Sequence, residues 1–296
     1  MVDFRYHLVS LIAVFLALAL GITLGAGVLQ TGIGNSLSGD LETVRTERDD
    51  ALAQVQDLER EVSVRDAAVT VLGTDAADGV LAGRTIAVVV MPGAEEADVT
   101  AAREAATAAG AATTTAWFTD TWMGVDQSYL QSYSGQLGGY VEAGSETRPE
   151  GVVAAALATA LAGTGDAAVL RELLSADEVD FVTFDGEGDV PAEAIVVVGP
   201  RTQTELPEGA APREGASMVA GFAGVLPTVT LGAATAERDG LVDQVRAADV
   251  ATSTVDSVGE APATVAVPLA LAAELAGTSA HYGSESGANA PIPTVP

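Results

Sequence analysis

RTIAVVVMPG, Arg84 to Gly93, is the stretch whose reading decides the fold. It is a continuous β-branched run closed by Pro92-Gly93, the pattern of a strand buried on both faces. Glu95 to Ala109 follows as an Ala-rich helix with acids in its first turn, where the helix dipole favours them. Gly110 ends that helix, and Ala111 to Phe118 (AATTTAWF) reads as a second strand. Strand, helix and strand joined by short turns argue for a parallel sheet with right-handed crossovers.

Downstream the same alternation continues. Asp126 to Val141, Gly151 to Leu161 and Ala167 to Leu174 carry helical spacing, and Val179 to Phe184 suits a short edge strand. Ala194 to Val198 (AIVVV), closed by Gly199-Pro200, is the second strong strand signal. Pro212 to Leu226 is expected as helix, Thr228 to Leu231 as strand, and Asp239 to Ala248 as helix. Ser253 to Val255 offers a last short strand before an apolar helix from Pro262 to Leu275, ended by Gly277. Residues 83–277 therefore form the expected three-layer α/β domain with a mostly parallel sheet. Residues 278–296, rich in Gly, Ser, Asn and Pro, are expected as a disordered tail.

Upstream of a turn-rich hinge at Gly73 to Gly83 the period changes to seven. Leu37, Leu41, Val44, Ala51, Val55, Leu58, Val62, Val69 and Leu72 fall on one seam, interrupted by Arg48 and Arg65. Charged residues fill the remaining positions, so residues 36–72 read as a coiled-coil stalk. So narrow a stripe is not buried by a lone helix, which is marginal in water. A homo-oligomer or a partner helix would cover it, and a single amphipathic helix packed on its own domain is the alternative.

Further upstream, residues 8–29 (LVSLIAVFLALALGITLGAGVL) carry no charge. At about 1.5 Å per residue they span roughly 30 Å, the thickness of a bilayer core. Leu8, Leu11, Phe15, Leu18, Ile22 and Leu29 belong to this expected membrane anchor, with residues 1–7 as a cytoplasmic stub. Ala17-Leu18-Ala19 also has the form of a signal-peptide cleavage site, but the apolar run continues ten residues past it. Arg5 precedes the span, and the next basic residue is Arg45. The positive-inside rule then sends the C-terminal domain outside a single-pass cell-membrane anchor.

Thirteen arginines, no lysine and 41 acidic residues give a net charge of −28, which excludes nucleic acid as an expected partner. With no cysteine there is no disulfide framework or thiolate site. The histidines are His7 and His281, both outside residues 83–277, so histidine-based catalysis in that domain is excluded on inventory. Asp185-Gly-Glu-Gly-Asp189 could hold a hard cation but lacks the EF-hand spacing, and a solvated turn is the simpler reading. Catalytic residues, metal ligands and cofactors are therefore expected to be none.

The opening MVDFRYHLVSLIAVFLALALGITLGAGVL resembles the start of the MctB family, an actinobacterial group described as copper transport outer membrane proteins. The heptad stalk, LAGRTIAVVVMPGAEEADV, STVDSVGEAPATVAVPLALAAELAG and the later HYG extend that resemblance over nearly the whole chain. It implies copper handling and an outer-membrane location, and SteB-type members are implied partners of a SteA-like membrane protein. Copper enters by resemblance only. Cu(I) prefers soft ligands, and the methionines Met1, Met91, Met123 and Met218 are not clustered in sequence. The expected function is that of a membrane-anchored envelope protein acting as a coiled-coil interaction or scaffold component and not as an enzyme. The alternative is a copper transport or export component, as the family description implies.

Overall fold

A computed structural model gives the architecture. The residues it describes are 4–141, 148–185, 190–201, 214–234 and 240–294, with the backbone alone over 26–40. The chain divides into two compact units, Met1–Val64 and Arg65–Pro296.

The first unit is helical. Its described residues lie within helix α1 (Phe4–Ala77), which runs without a break through the stretches read as anchor and stalk. Glycines between those stretches do not stop it, since one glycine costs a helix only about 1 kcal/mol and no proline intervenes. Phe4–Gly25 has a mean hydropathy of 2.6 and is long and apolar enough to cross a membrane. Leu8, Leu11, Phe15, Leu18 and Ile22 are all exposed in the single chain, as befits a helix whose solvent is lipid. Leu29 and Leu37 lie outside the residues whose side chains are described.

The second unit is an α/β domain, as its sequence predicts. Its strands are β1 (Thr85–Val90), β2 (Ala112–Phe118), β3 (Val182–Asp185), β4 (Ala194–Val198), β5 (Thr228–Leu231), β6 (Ser253–Val255) and β7 (His281–Tyr282). They form one open sheet in the order β3-β2-β1-β4-β5-β6-β7. All neighbours are parallel except β2 and β3. Helices α2 (Glu96–Ala108) and α9 (Ala261–Leu275) cover one face. The other is covered by α3 (Asp120–Gly124), α4 (Gln127–Leu137), α5 (Pro149–Ala162), α6 (Ala167–Ser175), α7 (Gly215–Ala223) and α8 (Leu241–Ala247). Side-chain alternation along β1 feeds both layers. Ile86, Val88 and Val90 face α2 and α9, while Ala87, Val89 and Met91 face the larger core. That is why the run Ile86 to Met91 tolerates no polar residue.

Two stretches differ from the sequence expectation. The hinge expected at Gly73 begins later, because α1 continues to Ala77 and the turns follow. Gly73 is buried against α9, where a Cβ would overlap Val265. It marks a close helix contact instead of a break. Around it Ala77, Val265 and Leu269 form a small core, with Val69 and Val80 packed against it. The second correction concerns the tail. Residues 281–282 pair with β6, and the expected disordered segment closes the sheet edge. Composition misled there because a buried ion pair and backbone pairing, together with a single buried aromatic, Tyr282, hold the segment in place.

Candidate functional site

Open parallel sheets bind ligands where loops leave the carboxyl ends of the strands, above all where strand order reverses. Here the reversal lies between β1 and β4. The loops are Met91-Pro92-Gly93 and Gly199-Pro200-Arg201, tied to the sheet by Met91 N–H donating to Val198 O (2.9 Å) and Gly199 N–H to Leu231 O (2.8 Å). Arg201 reaches back to the first turn of α2 and grips Asp98, which is 3% exposed. Its Nε donates to Oδ2 at 2.8 Å and its Nη2 to Oδ1 at 2.7 Å, with Glu95 at 3.4 Å from Nη1. The bidentate hydrogen bonds hold the Arg201 pKa above its ordinary value. On its far side lies Gly259, where a Cβ would overlap the guanidinium.

A cleft of about 240 Å³ opens beside this pair, between Ala101 and Ala102 of α2 and Thr264 and Val267 of α9, with Leu231 in its lining. In a dinucleotide fold a phosphate would occupy the N-terminus of α2. Here Glu96 and Asp98 lie in that turn, and Arg201 is spent on Asp98. The arrangement ties three loops together and offers no free anion cradle.

A second polar cluster sits farther along the same sheet edge. Arg246 of α8 and Asp256, just past β6, form an ion pair at 3.0 Å with side chains only 8% and 0% exposed. Arg246 also donates from Nε to Thr254 Oγ1 (3.0 Å), from Nη1 to Ser286 O (2.9 Å) and from Nη2 to Tyr282 O (3.2 Å). Asp256 accepts from Ser284 N–H at 2.8 Å and Glu285 N–H at 3.2 Å. Gly283, at φ 134°, lies where any Cβ would overlap the Asp256 carboxylate. His281 Nδ1 lies 3.1 Å from Thr254 Oγ1, and its pKa is lowered by burial and then by the Arg246 charge. The C-terminal segment is thus folded around a buried ion pair that no sequence spacing announced. The signal was there in part: the STVDSV and HYG pieces come together in it.

A model of the family described as "Copper transport outer membrane protein, MctB" matches residues 1–293. The chain belongs to the MctB family. Copper transporter MctB of Mycobacterium tuberculosis is 30% identical over 314 aligned positions, covering 97% of this chain and 98% of that protein. The Mycobacterium bovis protein of the same name matches to the same extent. Membership in the MctB family carries copper transport as its associated function, and the apolar helix Phe4–Gly25 supports membrane anchoring.

The residues read as a coiled-coil seam are placed as follows. Leu41, Val44, Val55, Leu58 and Val62 are exposed in the single chain, Ala51 likewise, and Leu72 is 70% exposed. Val69 alone among them is half-buried, against Ala77, Val265 and Leu269. Leu52, Val64 and Val71 are exposed apolar residues that the heptad reading left out. Arg60 pairs with Asp57 at 2.7 Å and Arg48 with Asp49 at 2.6 Å, both within α1. Such exposed pairs add little stability.

For metals, no group of three or more His, Asp or Glu is gathered among the described residues. Asp185 accepts from Trp117 Nε1 at 2.7 Å, while residues 186–189 of the acidic cluster lie outside the described residues. Met91 and Met218 are buried in the larger core and Met123 packs against it.

Proposed function

We propose that this protein is a membrane-anchored, non-enzymatic component of copper transport, with its α/β domain on the outer side of the membrane. The observation that carries the reading is the family match over residues 1–293, joined by a helix suited to a membrane. Arg5 ahead of that helix and the acidic chain beyond it support the orientation. The open, helix-covered sheet suggests a role beside a conducting partner instead of a barrel of its own. A strain lacking the gene is expected to be copper-sensitive and to recover with the full chain but not with residues 80–296. Unchanged copper tolerance together with altered cell shape or septation would overturn this reading.

In this role the α/β domain does not store copper. Its thioethers are committed to packing, with Met218 fully buried and Met91 9% exposed, and cysteine is absent. Titration of residues 80–296 with Cu(I) against a competing chelator is expected to show no stoichiometric site tighter than micromolar. A tighter site would show that the core opens to the ion.

The second reading is a scaffold that works through α1. It is favoured by one observation: the stripe Leu41, Val44, Val55, Leu58 and Val62 is apolar and uncovered in the single chain. A second copy or a SteA-like membrane protein would supply the covering helix.

A further inference from the structure

We infer that residues 281–290 form a pH-sensitive strap, closed on the edge of β6 while His281 is neutral and loosened when that ring takes up a proton. The inference concerns an element apart from the proposed transport role and stands without it.

The geometry follows from donors and acceptors. Arg246 has only donors, so Thr254 Oγ1 accepts the Nε hydrogen at 3.0 Å. The hydroxyl has a single hydrogen left to give. Among the described residues its other hydrogen-bond partner is His281 Nδ1 at 3.1 Å. Giving that hydrogen an acceptor assigns the role to Nδ1, which is the neutral tautomer with its hydrogen on Nε2. A proton on Nδ1 would face the Thr254 oxygen with a second donor and strand the hydroxyl hydrogen. With Nε2 keeping its own hydrogen, that second proton also places a cation beside Arg246.

The ring is coupled to the strap through its own backbone. His281 N–H donates to Asn289 Oδ1 at 2.8 Å, and Asn289 N–H donates back to His281 O at 2.6 Å. Gly283 N–H donates to Ala290 O at 3.0 Å, and Ser284 and Glu285 donate to Asp256. Loss of the His281 position therefore breaks the pairing with Asn289 and loosens the turn that carries Gly283, Ser284 and Glu285.

Other charges bear on the ring. From α8 Arg246 opposes its protonation, and Asp249, just beyond that helix, favours it. Asp256 at the end of β6 is occupied by Arg246 and the two strap amides. Glu285 lies in the strap, and Glu274 of α9 acts on the neighbouring Tyr282. The balance leaves the His281 pKa below its ordinary 6.5, with burial the larger cause and Arg246 the next. The sign follows. The open strap binds the proton at the ordinary value and the closed strap only below it. Closure is complete above that ordinary value and weakens as pH falls toward the lowered one.

The test is hydrogen exchange on the full chain in detergent micelles, from pH 7.5 to 5, corrected for intrinsic exchange. Protection of the Gly283, Ser284 and Glu285 amides is expected to fall by up to about tenfold per pH unit within the titration window. Amides of β1 and β4 should not follow. His281→Gln should abolish that dependence. Because the chain has only two histidines, nitrogen NMR of the wild-type ring checks the tautomer without any substitution. A protonated Nδ1 at pH 7.5, flat protection down to pH 5, or the same slope in His281→Gln would each overturn the inference.

Discussion

Asp256→Ala is expected to destabilise the α/β domain by about 3–5 kcal/mol, the usual cost of leaving a buried charge without its partner. Arg246 and Asp256 are 8% and 0% exposed, so solvent cannot replace the lost carboxylate. The substitution also removes the acceptor for Ser284 N–H and Glu285 N–H. Set against a typical net stability of about 5–15 kcal/mol, the loss is large enough to unfold a marginal domain. Urea denaturation gives the measurement, with an unchanged slope showing that only stability has moved. The double variant Arg246→Met with Asp256→Leu should recover part of the loss, since it removes both charges together. A single variant as stable as wild type would show that the pair is solvated and the C-terminal segment is held by other means.

This pair marks where the sequence stops being legible. β1 and β4 are plain in RTIAVVVM and AIVVV because a strand buried on both faces excludes polar residues. α2 and α9 announce themselves through Ala-rich runs bounded by glycine. The antiparallel β3 gave a short edge-strand signal, but its direction depends on α3 to α6, whose connections sequence does not order. β7 gave none. Two residues, His281 and Tyr282, are too short for a period, and the surrounding Gly, Ser and Asn match disordered composition. What orders them is an arginine 35 residues upstream of His281, and pairing at such distance leaves no local pattern. Gly73 was misread for a related reason. A glycine at a helix contact and a glycine at a helix end look alike until Val265 is seen beside it. The switch-point loops were visible as Pro92-Gly93 and Gly199-Pro200, but not that Arg201 and Asp98 would neutralise each other there.

Leu58→Glu tests the scaffold reading, because it places a carboxylate in the middle of the stripe that a partner helix would cover. Leu58 is 61% exposed in the single chain, so the substitution costs the isolated helix almost nothing. In an association it would bury an unpaired charge, at a cost on the order of 3–5 kcal/mol, or roughly a thousandfold in affinity. Gln56→Glu adds the same charge two residues earlier, off the seam, and is expected to change association by less than about 0.5 kcal/mol. Arg48 and Arg65 interrupt the stripe, which weakens pairing and lets it specify register and partner. Analytical ultracentrifugation of residues 36–296, alone and with the protein that this fragment captures from the membrane fraction, compares the two variants with wild type. Self-association lost only in Leu58→Glu identifies a homo-oligomer, and loss confined to the mixture identifies a partner helix. A wild-type fragment that stays monomeric and captures nothing, with both variants alike, would overturn the scaffold reading and leave the transport reading standing on the family match alone.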